Sequence, residues 1–258
     1  KKIDAVRRCS SEDYYCDKIT IEKLKHFVSK EAFNIDGLGK KIIEGFWKLK
    51  LIKFPQDIFK LDYIKIEKLE GWGKLSVENL KYSINQKKNI SLERFIFALG
   101  IRHIGMENAK LISNFLKTSK KFITILNKEN INELQNIDGI GETQISSIKS
   151  FFSYRVNLEI LKELNNILMV QDQKNPKKDG IFKDKTFMFT GKLDGISRAE
   201  AKSLIEQNSG TIISNVSKKL NYLLIGDKPT KRKILHAKEL KVKILSQKEL
   251  LQKLNKRS

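Results

Sequence analysis

The sequence predicts a multidomain chain: an all-helical domain, then a small α/β domain built on a parallel sheet. Three observations carry that expectation. A short glycine hairpin recurs four times, as Ile35-Asp36-Gly37-Leu38-Gly39, Leu69-Glu70-Gly71-Trp72-Gly73, Ile101-Arg102-His103-Ile104-Gly105 and Ile137-Asp138-Gly139-Ile140-Gly141. The second glycines lie 34, 32 and 36 residues apart, regular enough to be a structural repeat. Residues 171–180 are almost free of apolar side chains, and beyond them the hydrophobic period changes from helical to that of short strands.

The elements follow in order. Residues 1–18 are polar and irregular and contain Cys9 and Cys16. From 19 to 170 apolar stripes at helical spacing flank the hairpins. Leu24, Phe27 and Val28 precede the first hairpin, and Ile42, Ile43, Phe46, Trp47 and Leu49 follow it. Leu92, Phe95, Ile96 and Leu99 precede the third; Ala109, Ile112, Phe115 and Leu116 follow it. Ile145, Ile148, Phe151 and Phe152 follow the fourth, and 156–170 reads as one more helix. One helical pair cannot bury its own stripe, so the pairs are expected to pack into a single helical domain. Residues 171–184 read as a linker. Then comes a strand at 186–190, a helix with Ser197 as N-cap, strands at 211–213 and 221–225, a helix at 231–240, a strand at 242–245 and a last helix from Ser246. That order describes an α/β domain over 185–258.

Composition narrows the function. The 258 residues leave room for two or three small domains, and 40% hydrophobic with 31% charged residues is the composition of a folded, soluble protein. No apolar run approaches membrane-spanning length and no signal peptide is visible, so no membrane partner is expected. The chain opens on Lys1 rather than Met, as expected of a piece of a longer protein or of a processed product. A net charge of +21 favours an anionic partner, nucleic acid first. Abundant Lys, Ile and Asn offer a compositional explanation of the same excess. The charge does not localise the binding region, since residues 181–258 carry a net +11 and residues 1–180 a net +10. Two cysteines exclude a disulfide framework and fit a reducing cytoplasm.

A glycine turn that opens a helix offers unpaired backbone N–H groups at the positive end of the helix dipole. In one reading Gly37, Gly39, Gly71, Gly73, Gly105, Gly139 and Gly141 let the backbone approach a phosphate, with the N–H groups of Lys40, Lys74 and Met106 directed at it. In the other, the glycines only allow tight turns between helices. Four evenly spaced copies in a basic chain favour the first, and point to a long polyanion held without reading base edges. Arg102 beside the third turn is a candidate for a phosphate or minor-groove contact. His103 replaces the first glycine of that copy. Neither His26 nor His103 has a triad or ligand cluster around it in sequence, so a structural or phosphate-contact role is expected of both.

At these residues the sequence resembles known families. The hairpins are similar to the helix-hairpin-helix motif of DNA-binding proteins. Their number, with Arg8-Cys9, Cys16 and Leu24-Lys25-His26-Phe27-Val28-Ser29 ahead of them, resembles the bacterial NAD-dependent DNA ligases. The stretches Phe33 to Ile43 and Arg94 to Gly105 match that family most specifically. Phe189-Thr190-Gly191, the segment from Ser197 to Lys202 and that from Ser214 to Lys219 resemble a BRCT domain. The resemblance therefore implies an all-α helix-hairpin-helix domain followed by a BRCT-like domain. It implies the DNA-binding portion of an enzyme that seals 3′-hydroxyl to 5′-phosphate nicks in replication and repair, acting as a monomer in the bacterial cytoplasm at the nucleoid. NAD and Mg²⁺ would serve the whole enzyme through an adenylation domain and an OB-fold that are not in this sequence, so this chain alone is expected to be inactive. Cys9 and Cys16 would be half of a four-thiolate zinc site, incomplete here and not expected to retain zinc.

Three further motifs need placing. Lys177-Lys178-Asp179-Gly180 spells the adenylation signature Lys-x-Asp-Gly, but a nucleophilic lysine needs a pocket that lowers its pKa, and this one sits in a polar linker. By resemblance to phosphopeptide-binding BRCT domains, Thr190, Gly191 and Lys233 would hold a phosphate, with a DNA end or an intramolecular contact favoured over a phosphopeptide. The alternative to a ligase is a DNA-repair scaffold with the same two modules, which would leave the cysteine segment unexplained. A third class is a protein-interaction module in which BRCT dominates.

Overall fold

A computed structural model describes residue 14 and residues 16–125, 130–173 and 179–255. The chain divides into two compact units, Lys1–Gln173 and Lys174–Ser258.

The first unit is helical. It contains α1 (Asp17–Phe27), α2 (Lys40–Lys48), α3 (Tyr63–Glu67), α4 (Lys74–Gln86), α5 (Leu92–Ala98), α6 (Met106–Leu116), α7 (Ser119–Thr124), α8 (Glu142–Ser153) and α9 (Arg155–Ile167). Turns of 3₁₀ helix lie at Pro55–Lys60 and Asn130–Asn136. Local chemistry sets several starts. Pro55 occupies the first position of its 3₁₀ turn, and the Asp57 carboxylate accepts the Lys53 and Phe54 N–H groups, each at 2.8 Å. Asp62 caps α3 by accepting the Lys65 N–H at 3.2 Å, and Thr118 caps α7 through Lys121 N–H at 3.1 Å.

The apolar stripes read from the sequence form the core. Leu24 and Phe27 of α1, Ile43 and Phe46 of α2, Phe95 and Ile96 of α5, and Ile145 and Ile148 of α8 are all buried. Phe27 stacks on Phe33 at 4.3 Å, and Phe59 closes edge-on against both. Leu49 and Phe115, expected to belong to these stripes, are exposed instead, because each falls off the face its helix buries.

The helix expected at 156–170 stops at Ile167. A strand β2 (Met169–Gln171) follows and pairs in parallel with β1 (Asn89–Ser91), Ile90 opposite Val170. The Gln173 N–H then donates to the Lys117 carbonyl at 2.7 Å, and Asp172 accepts the Ser119 N–H at 3.3 Å. Residues 171–173 therefore belong to the helical unit rather than to a linker. At the other end Phe182 is buried in the second unit, 4.8 Å from Phe187.

The second unit carries β3 (Thr186–Thr190), α10 (Arg198–Gln207), β4 (Thr211–Ile212), β5 (Tyr222–Ile225), α11 (Lys231–Glu239), β6 (Lys243–Ser246) and α12 (Gln247–Asn255). The strands form one parallel sheet in the order β4-β3-β5-β6. Alternation along β3 puts Phe187 in a core with Ala201, Ile205, Leu245 and Leu250, and Met188 in another with Leu223, Ala237 and Val242. Helices α10 and α12 thus cover one face and α11 the other. Ser197 caps α10 as expected, accepting the Glu200 N–H at 3.1 Å while Glu200 accepts the Ser197 N–H at 2.5 Å.

Candidate nucleic-acid interface

The four hairpins fold alike. In each, the fourth residue's N–H returns to the first residue's carbonyl: Leu38 to Ile35 at 3.4 Å, Trp72 to Leu69 at 3.0 Å, Ile104 to Ile101 at 3.1 Å and Ile140 to Ile137 at 3.0 Å. The third residue has positive φ, +86° at Gly37, +77° at Gly71, +61° at His103 and +89° at Gly139. His103 therefore keeps the turn that its glycine counterparts make, in a region where histidine is tolerated better than most side chains. The Asn108 side-chain amide donates to the His103 carbonyl at 2.9 Å and steadies that strained residue.

The second glycines play a different part. Gly39, Gly73, Gly105 and Gly141 have extended backbones and stand as N-caps of α2, α4, α6 and α8, with no side-chain cap of their own. Their carbonyls accept the first helical hydrogen bonds, from Ile43, Val77, Ala109 and Ile145 at 2.9–3.1 Å. An extended residue does not need to be glycine, and a Cβ at Gly39, Gly73 or Gly105 would meet nothing within 4 Å. What glycine preserves there is open space above the first amides of a helix, which have no intrahelical acceptor.

The copies differ in detail. Ser76 Oγ accepts the Gly73 N–H at 2.9 Å, and Gln144 Oε1 accepts the Gly141 N–H at 3.2 Å. No such cap forms in the first and third copies. Exposed Asp36 in the first turn is followed by exposed Lys40 and Lys41, and exposed Arg102 in the third by exposed Glu107, whereas exposed Asp138 in the fourth is followed by exposed Glu142 with no cation beside it. The first turn therefore carries the most positive local charge and the fourth the most negative. The turns also pack in pairs. A Cβ at Gly37 would contact Leu80 of α4 at 3.4 Å, and one at Gly139 would contact Leu111 of α6 at 3.1 Å. Between α1 and α2, Lys25 bonds Glu22 at 2.7 Å and Glu44 at 2.6 Å. Hydrogen bonds to these two carboxylates raise the Lys25 pKa, and the bond from Lys25 lowers that of Glu44.

The other candidate residues separate. All of Gly37, Gly39, Lys40, Gly71, Gly73, Lys74, Arg102, His103, Gly105, Gly139 and Gly141 are exposed at the turns. His26 is half-buried and its Nε2 donates to the Phe97 carbonyl at 2.8 Å, tying α1 to α5. Cys16 is a free thiol at the start of α1, and Cys9 lies outside the described residues. Among the described residues no group of three His, Cys, Asp or Glu could hold a metal ion. Lys177 and Lys178 also lie outside the described residues. Gly180 of the same motif packs on α10, its N–H donating to Ser209 Oγ at 3.0 Å and any Cβ falling 2.2 Å from the Asn208 carbonyl oxygen. In the second unit Thr190 is only 2% exposed, and its Oγ1 accepts the Thr230 N–H at 3.0 Å. At Gly191, φ is +87° and a Cβ would lie 2.6 Å from the Asp227 carbonyl oxygen, so its glycine is explained by packing. Lys233 is half-buried near the start of α11.

Two features were not anticipated from the sequence: Asn108 as support for the third turn, and a face of α8 carrying Thr143, Ser146 and Ser150 beside it. The second was visible as hydroxyl residues at helical spacing.

Comparison with known proteins agrees with this geometry. Residues 94–161 match the helix-hairpin-helix motif model, and residues 177–252 match that of the BRCA1 C Terminus (BRCT) domain. The DNA ligase of Pelagibacter ubique (strain HTCC1062) is 64% identical over 256 residues, covering 99% of this chain and 38% of that protein. The DNA ligases of Rickettsia massiliae (strain Mtu5) and Rickettsia bellii (strain RML369-C) are 39% and 38% identical over 260 residues, 96% of this chain and 37% of theirs. The chain thus spans less than two fifths of the length of these relatives. With both modules present and the likeness running along nearly its whole length, the chain belongs to the DNA ligase family and corresponds to the C-terminal part of its members.

Proposed function

We propose that this chain is the duplex-gripping portion of an NAD-dependent DNA ligase that seals nicks during replication and repair. The observation that carries the reading is the fourfold repeat of one turn, each opening a helix behind an extended, exposed glycine. Four sets of outward amides suit a phosphate backbone rather than one nucleotide, and they ignore base identity. Exposed Lys40, Lys74 and Arg102 add the positive field.

In this reading the chemistry resides in parts of the ligase outside this chain. NAD supplies the adenylyl group there, with Mg²⁺ assisting, and Cys9 and Cys16 contribute half of a zinc site whose other ligands lie elsewhere. The protein acts as a monomer on nicked duplex in the cytoplasm, at the nucleoid. No helix among the described residues is long and apolar enough to cross a membrane. Thr190, Gly191 and Lys233 stay as a proposed contact for a DNA end, with the hydroxyl of Thr190 already engaged by Thr230.

The test is twofold. The chain should bind nicked and intact duplexes of unrelated sequence, with log K falling steeply against log salt at about 0.9 per phosphate neutralised. Incubated with NAD and Mg²⁺, it should acquire no covalent AMP by mass spectrometry. Sequence-selective binding, or an adenylated lysine on this chain, would overturn the reading.

A further inference from the structure

A cleft of about 680 Å³ lies within the helical unit, between the third turn and one face of α8. Arg102 from the turn and Lys23 from α1 line it, with Thr143, Ser146 and Ser150 from α8. Those three recur at helical spacing, so they share the side of α8 opposite buried Ile145 and Ile148. All three are exposed. An exposed helix face in so lysine-rich a chain would ordinarily carry long charged side chains, which would fill this cleft. Instead it carries short hydroxyls. The Lys23 ammonium stands 5.2 Å from the Tyr14 ring centroid and 5.7 Å from that of Phe151, which fixes a cation at the cleft wall. Glu142 is the one carboxylate among the lining residues.

We propose that this cleft carries the sugar-phosphate backbone of one DNA strand. Arg102 takes one phosphate, and the hydroxyls of Thr143, Ser146 and Ser150 donate to those that follow. The proposal rests on the reading of the hairpins as a duplex grip and extends it from the glycine turns to the exposed hydroxyl face of α8 behind the fourth one. Seven residues of helix rise about 10.5 Å, long enough for the track to serve more than one phosphate of a strand.

Hydroxyl and cationic contacts leave different signatures. Binding of the whole chain to a labelled nicked duplex, measured by fluorescence anisotropy over a salt series, separates them. Ser146→Ala/Ser150→Ala should bind about tenfold more weakly with an unchanged salt slope, because hydroxyls displace no counterions. Arg102→Ala should weaken binding and also lower the slope by about 0.9. Glu142→Gln should tighten binding about two- to threefold by removing the opposing charge. Alanine is the better helix former, so α8 should persist, which circular dichroism checks. Wild-type affinity in Ser146→Ala/Ser150→Ala, in a chain whose binding is still lost on changing the hairpin glycines, would overturn the cleft as the strand path and leave the grip intact. Failure of the unaltered chain to bind DNA would overturn both.

Discussion

A chain carrying Gly39→Ser and Gly105→Ser is expected to melt at or slightly above the wild-type temperature and to bind duplex DNA about 100-fold more weakly. Both residues are extended N-caps with open space where a Cβ would go, so the fold accepts the change. Serine is the stronger N-cap, by a few tenths of a kcal/mol over glycine. Its hydroxyl does this by accepting an N–H of the first helical turn, the same group that a phosphate would use. Closing one such charge-assisted hydrogen bond per turn, at about 1.5 kcal/mol each, the lower end of the usual range, amounts to roughly two decades of affinity over two turns. Parallel titrations and thermal melts read both quantities. Stability and binding that fell together would mean that the glycines serve only the turn.

The largest loss of stability is expected at Arg94. It is 4% exposed; its Nη2 donates to the Ala32 carbonyl and its Nε lies 3.5 Å from the Glu31 carbonyl. Residue 94 thus joins α5, which leads into the third hairpin, to the chain just ahead of the first. Arg94→Ala removes a buried charged donor, leaves the Ala32 carbonyl short of a partner and opens a cavity the length of the side chain, together about 3–5 kcal/mol. Arg94→Lys should recover less than half, because an ammonium lacks the planar fork that reaches two carbonyls. Trp47 and Trp72 are the only tryptophans and both lie in the helical unit, so fluorescence during urea unfolding follows that unit alone. A loss below about 1 kcal/mol for Arg94→Ala would show that neighbouring groups replace the bond.

Most of the architecture was legible because its signals are local. Helical apolar spacing, a glycine turn ahead of each stripe and the Ser197–Glu200 capping pair each act within a few residues. The order of strands and helices in the second unit followed from short apolar runs between polar breaks. What escaped the sequence is non-local or depends on side-chain direction. The pairing of Asn89–Ser91 with Met169–Gln171 joins segments some eighty residues apart, and three-residue strands carry almost no pattern of their own. The linker came out short at both ends, because Gln173 and Phe182 each find partners across long sequence separations. His103 looked like a break in the repeat, yet its positive φ makes it a full member. At the candidate site the glycines were legible, but their division of labour was not. Only backbone angles and the space around each Cβ separate the residues that make the turn from those that keep it open.

The claim at the centre, that the hairpin amides themselves hold DNA, is tested most directly by hydrogen exchange with and without a nicked duplex. The first amides of α2 and α6 have no intrahelical acceptor and should exchange fast in the free chain. With DNA bound, residues 40–42 and 106–108 should slow markedly, by more than residues 142–144 beside the acidic fourth turn. Unchanged exchange at all four helix starts, with protection confined to residues 185–255, would contradict the hairpin grip.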